Sequence, residues 1–326
     1  MTNSQSLTVS TPRDVDAGAD VRALEADWHQ ALDLRVRANE LSATSATTYR
    51  AGFTKFRTWA EGRSTVTDDT IREWKAALIA EGRKPGTVNT WLAGVRAFFA
   101  WAVGARRLPY DPTANISGAS RKGTSTRHKR SDLTNDEVRR LLAAPDRTTD
   151  AGKRDHAILS LMAYTGARTV ELHRADLDEL ATEGGQLILH VRGKGHSEAD
   201  ALIVIAHPQA ADALHDWLSE RGEKPGPLFT SLSDRSRGQR MSLQAYRAMW
   251  LQVKKAAGVR DRTNSKTLHS LRHTAISNAV RHGAPVQKVQ AMARHANIQT
   301  TMVYYHEADR VENPAERFIS YDSDSR

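Results

Sequence analysis

The stretch LPYDPTANISGASRKGTSTRHKRSDLT, from Leu108 to Thr134, constrains this chain more than any other feature. It is rich in Gly, Ser, Thr and Pro, so it reads as an interdomain linker. Whatever folds on either side must close a core of its own. With 326 residues, 39% of them hydrophobic, each side has the material to do so. The stretch is also basic, carrying Arg121, Lys122, Arg127, Lys129 and Arg130. A run of this kind is often no more than a solvated segment, but one that tracks a phosphate backbone between two domains has the same composition.

Before the linker, apolar residues recur at helical spacing in VRALEADWHQALDLRV, TTYRAGFTKFRTWAEG and TVNTWLAGVRAFFAWAVGARR. The spacing predicts a small all-helical domain over residues 21–113, preceded by a flexible stretch, 1–20. Tyr49, Phe53, Phe56 and Trp59 fall on one face and read as core. Ser45 or Thr47 is placed to cap the second helix and Asp68 or Asp69 the third.

After a linker set at 114–131, a second domain is expected over 132–306. Thr134 with Glu137 has the spacing of a capping box, and an apolar helix follows in KRDHAILSLMAYTG. QLILHVRGKGHSEADALIVIA then sets two β-rich runs around Gly-Lys-Gly, a hairpin in an otherwise helical domain. The expected fold class is mainly α: a small helical domain and a mostly helical second domain with a small β-hairpin or sheet. Residues 307–326 read as a C-terminal tail in which Phe318, Ile319 and Tyr321 form an apolar cluster.

The absence of cysteine excludes disulfides, thiolate metal sites and thiol nucleophiles. No apolar run has the length of a membrane span, and the first residues lack the basic and apolar regions of a signal peptide, so a cytoplasmic, nucleoid-associated protein is expected. A formal charge of +9 favours a polyanionic partner, nucleic acid first, through counterion release.

In TLHSLRHTAISNAV, His269, Arg272 and His273 share one helical face, while Leu271, Ala275, Ile276 and Val280 supply the core stripe. Two histidines at i, i+4 suit a metal, but Arg272 sits between them and Ser270 stands where a zinc protease has glutamate. A fixed cation suits an anion instead. An anion clamp calls for a second guanidinium, and Arg168 in AYTGARTVEL offers one, with Glu171 placed to brace it by an ion pair.

TGARTVEL, GKG, HSLRH and RHANIQTTMVYYH, in that order, resemble the catalytic series of the tyrosine recombinase (phage integrase) family. The helical first domain resembles that family's core-binding domain, and the short start resembles its simple two-domain members, without an arm-binding domain. The resemblance implies that Arg168 and Arg272 hold a scissile phosphate, that Lys194 protonates the leaving 5′ oxygen, and that His269 and His295 assist. It implies that Tyr304, nine residues after His295, is the nucleophile. His273 is read as a helix-packing residue. The family has glycine before its second histidine; Arg294 stands there in this chain and is read as either a different cap or an added phosphate contact, with the contact favoured.

The implied activity is site-specific DNA recombination through a 3′-phosphotyrosyl intermediate and a Holliday junction, without metal, cofactor or ATP. The implied partners are double-stranded DNA carrying a specific site and further copies of the chain in a tetramer, with the tail either docking on a neighbouring protomer or packing on its own domain, and accessory proteins left open. Alternatives are type IB topoisomerase-like relaxation and a non-catalytic DNA-binding regulator on the same fold.

Overall fold

Helical periodicity before the linker becomes four helices: α1 (Ala23–Arg37), α2 (Ala43–Trp59), α3 (Asp68–Ala80) and α4 (Pro85–Gly104). The computed structural model describes residues 8–9, 23–63, 65–120, 133–192, 199–261 and 265–312, and the linker residues Arg121, Lys122, Arg127, Lys129 and Arg130 lie outside them. Its contacts divide the chain into two units, Met1–Thr124 and Ser125–Arg326.

In the first unit, Phe53 and Phe56 are fully buried, with Tyr49 and Trp59 packed partly buried at the margin. The core is aromatic: the Phe53 and Phe98 rings stack at 4.0 Å, and Trp28 meets Phe98 edge-on at 5.4 Å. Such pairs contribute roughly 0.5–1.5 kcal/mol each beyond the area they bury. The caps differ from those expected. Ser42 accepts the amide of Ser45 ahead of α2, and Thr67 forms a capping box with Thr70 ahead of α3. Both helices start a little earlier than their apolar stripes because the cap needs an extended backbone, which the stripe does not report. Within the stretch expected to be loose, β1 (Thr8–Val9) pairs in parallel with β2 (Thr65–Val66).

The second unit opens with α5 (Asn135–Ala143), capped by the expected Thr134–Glu137 box. Then come α6 (Asp150–Thr165), α7 (Thr169–Arg174), and the strands β3 (Leu180–Glu183), β4 (Gln186–Arg192) and β5 (Ala199–Ile205). The chain continues through α8 (Pro208–Arg221), α9 (Leu243–Ala256), α10 (Leu268–Arg281), α11 (Val286–Ala293) and α12 (Ile298–Glu312). The two β-rich runs pair antiparallel, and β3 adds a third strand to give the order β3-β4-β5. β3 turns into β4 through Gly184 and Gly185, at φ 56° and 77°, the positive φ pair that a tight hairpin of matching twist requires. No helix of the described residues is long and apolar enough to cross a membrane.

The main core of this unit joins α6, α8, α9 and one face of the sheet around Leu161, Leu189, Trp217 and Trp250. A separate small core of Ile276, Val280, Val289, Ala293 and Tyr304 ties α10, α11 and α12 together. This second cluster positions the candidate site.

Candidate active site

The site begins where α6 stops. Its apolar residues Ile158, Leu161 and Met162 are wholly buried, so the end of the helix is fixed by the core. Gly166 caps it at φ 63°, a left-handed geometry that glycine adopts without a Cβ penalty. The chain turns, and Arg168 becomes the first residue ahead of α7. Glu171 reaches back to accept from the amide of Arg168 and from its Nη1, each at 2.6 Å. The brace expected of Glu171 is therefore formed.

Arg272 comes to this turn from α10 and is only 2% exposed. Its Nη1 donates to the carbonyl of Gly166 and its Nη2 to that of Ala293, the last residue of α11. Two helix C-termini, each the negative end of its dipole, thus converge on one guanidinium. Without such acceptors a buried cation would be strongly destabilising. Burial above all, then repulsion by Arg168 and Arg294, brings its pKa down to about 9, while Glu171 and Tyr304 act to raise it. It stays protonated at neutral pH.

α12 supplies Tyr304, 4% exposed, whose hydroxyl lies 2.5 Å from Nδ1 of His273. The Tyr304 ring is flanked by His273 at 5.9 Å and by His295 at 6.4 Å, both close to parallel. Nδ1 of His295 pairs with the buried Thr301 hydroxyl at 2.9 Å, and His269 meets the His273 ring edge-on at 4.7 Å. Tyr305, one residue on, points elsewhere: its hydroxyl donates to the carbonyl of Ala284, and burial pushes its phenol up. The two side chains diverge because neighbours on a helix are roughly 100° apart.

Of the residues singled out from sequence, Arg168, Glu171, His269, Arg272, His295 and Tyr304 converge through these contacts. Lys194 lies outside the described residues. Two readings are corrected. His273 is not simply a packing residue, since it holds the Tyr304 hydroxyl; its place on the face of His269 and Arg272 was the available signal. Arg294 does not turn outward as a phosphate contact. Its side chain is 8% exposed, and its Nε and Nη2 donate to the two oxygens of Glu171 at 3.0 and 2.7 Å. The cluster sets three guanidiniums against one carboxylate, a balance suited to an anion. Burial, the largest influence on Glu171, raises its carboxyl, but Arg294 and Arg168 together outweigh it and hold the group below its ordinary range.

The chain matches two family models: the phage integrase family over residues 131–310, and the phage integrase N-terminal SAM-like domain over 33–106. It is 27% identical over 288 residues to tyrosine recombinase XerD of Pseudomonas putida, spanning 86% of this chain and 92% of the relative. Tyrosine recombinase XerC of Mycobacterium bovis is 30% identical over 252 residues, spanning 74% and 80%. Among solved structures, the XerH site-specific recombinase bound to a palindromic difH substrate superposes with a TM-score of 0.68 at 18% identity, covering 90% of this chain and 84% of that one.

Proposed function

The chain belongs to the phage integrase family, and on that premise we propose that it cuts and rejoins specific DNA sites through a covalent bond to Tyr304. It is an enzyme of the tyrosine recombinase type. The observation that carries the residue assignment is that the Tyr304 hydroxyl bonds His273 while the buried guanidinium of Arg272 lies within the electrostatic reach of both Tyr304 and Arg168.

A phenol, with a pKa near ~10, is a weak nucleophile at neutral pH. Cations around it favour its ionised form and offset the charge that develops on a phosphate under attack. In the proposed first step the Tyr304 oxygen attacks phosphorus, the bond to the 5′ oxygen breaks, and a 3′-phosphotyrosyl bond forms. The phenol proton passes towards His273, and Lys194, by the family resemblance, protonates the departing 5′ oxygen. Arg168 and Arg272 hold the non-bridging oxygens, with His269 and His295 assisting. A 5′ hydroxyl from a second duplex then attacks the phosphotyrosine phosphorus, the bond to the Tyr304 oxygen breaks, the 5′ proton leaves by the reverse of the first step and the phenol is restored. Each bond broken is thus replaced by one of similar energy and no ATP is needed. Repetition on the other strands passes through a Holliday junction, worked by a tetramer on two DNA sites. Guanidiniums take the charge-neutralising part that metal ions take in other phosphoryl transfers, so neither metal nor cofactor enters the scheme.

The test is adduct formation on a duplex recovered from a random-sequence pool by binding to the purified protein, then nicked near the cleavage position, in buffer containing EDTA. Tyr304→Phe binds this duplex and forms no adduct, whereas Tyr305→Phe still forms it. An adduct mapped to Tyr305, or one that requires added Mg²⁺, overturns the scheme.

A further inference from the structure

We propose that Arg294 is a positioning residue of the recombinase site, one that orients Arg168 and leaves its positive charge uncancelled for the phosphate. The inference rests on the reading of Arg168 as a phosphate ligand.

Arg294 occupies the C-cap of α11 at φ 51° and ψ 49°, the left-handed region that glycine adopts freely and arginine does not. A large side chain held in an unfavourable backbone geometry must be fixed by its surroundings. Here the side chain is 8% exposed and its donors meet protein acceptors. Nε and Nη2 form a two-pronged fork on the Glu171 carboxylate, Nη1 donates to the carbonyl of Met292 at 2.6 Å, and Nη2 also approaches that of Gly166 at 3.3 Å. So engaged, Arg294 acts through other residues and not on DNA.

It reaches Arg168 by two routes. Glu171, clamped by Arg294, accepts from the Arg168 amide and Nη1; the backbone carbonyl of Arg294 accepts from Arg168 Nη2 at 2.9 Å. Both terminal nitrogens of Arg168 are thereby fixed in direction. The electrostatics point the same way. A lone Glu171 would cancel the charge of Arg168, but shared between two guanidiniums it leaves one net positive charge at the partly exposed Arg168, whose side chain is 32% exposed. Arg272, anchored on the carbonyls of Gly166 and Ala293, shares both ends of this frame.

The experiment uses the full chain, the selected nicked duplex described above, and Arg294→Gly, a variant that suits the left-handed backbone. Single-turnover adduct formation falls on the order of ten- to a hundred-fold, while affinity for the duplex changes by no more than about two-fold. The pH profile moves as well. Glu171 faces Arg168, Arg294 and, across from α10, Arg272; losing Arg294 lets burial raise the carboxyl, so the acid limb of cleavage appears at higher pH than in wild type. Arg294→Lys, with the charge but no fork, falls between wild type and Arg294→Gly. Combining Arg294→Gly with Glu171→Gln adds little further loss, since both act along one route. An Arg294→Gly protein that cleaves at the wild-type rate, or whose cleavage, binding and thermal stability fall together with an unmoved pH profile, overturns the inference alone. Wild-type protein that forms no adduct at Tyr304 overturns the reading beneath it.

Discussion

At the scale of single residues, the site depends on partners that share one face only after folding. His273 bonds the Tyr304 hydroxyl from a position 31 residues away in the chain. Replacing it by phenylalanine keeps an aromatic ring and removes the ring nitrogen that pairs with the hydroxyl. We expect His273→Phe to bind the selected duplex like wild type and to form adduct at least about tenfold more slowly, by single-turnover kinetics. Glu171 carries a pH-dependent stability. Its folded pKa is lowered, so its contribution is fully present above the unfolded value near ~4.3 and is lost as pH falls through the lower folded value. Denaturant unfolding of wild type and Glu171→Gln should therefore differ most at neutral pH and converge in acid. A constant difference across that range would show that the carboxylate charge contributes no stability.

At the scale of elements, α2 and α4 approach so closely that two glycines become structural requirements. A Cβ at Gly94 would stand 2.3 Å from the carbonyl oxygen of Tyr49, and one at Gly52 would stand 2.5 Å from that of Trp91. Both obstacles are backbone, which cannot swing aside. Gly94→Ala should destabilise the first unit by about 2–4 kcal/mol, towards or above the upper end of ordinary overpacking. Gly86→Ala, in the same helix with nothing within 4 Å, should be neutral or stabilising by up to about 1 kcal/mol. Urea unfolding monitored by the tryptophans of that unit compares the two, and equal stabilities would refute the close-contact account. The apolar periodicity that announces these helices was legible in the sequence. Their crossing distance was not, because glycine has no side chain to enter a periodic pattern. The four-residue strand β3 was missed for a related reason: LATE is too short to show alternation.

At the scale of the whole molecule, two units each have their own core, and the expected linker is shorter than its composition suggested, since Ile116 and Ala119 are buried in the core of the first unit. If Arg121, Lys122, Arg127, Lys129 and Arg130 follow the DNA backbone, changing all five to glutamine should weaken binding evenly across sequences and flatten its salt dependence. Every phosphate that the variant no longer neutralises takes about 0.9 off the slope of log K against log salt. Titrations between about 50 and 200 mM salt measure this. An unchanged slope would leave the linker as a solvated tether.

What the sequence determined by itself was the division into two units, the helical character of both, and the chemical types assembled in the second. These follow from local quantities: linker composition, apolar spacing within a few turns, and the order of motifs around Arg168, Arg272 and Tyr304. That Tyr304 and Tyr305 point different ways was also legible, since helical register is a local property. The tertiary structure alone decided what the side chains do with one another. Arg294 lies 123 residues from Glu171, and its sequence position suggested an outward contact. Its guanidinium turns inward because α11 ends against the turn between α6 and α7, where a buried carboxylate needs a second cation. Partner choice of that kind depends on how distant elements pack, and no pattern within a helix or strand encodes it.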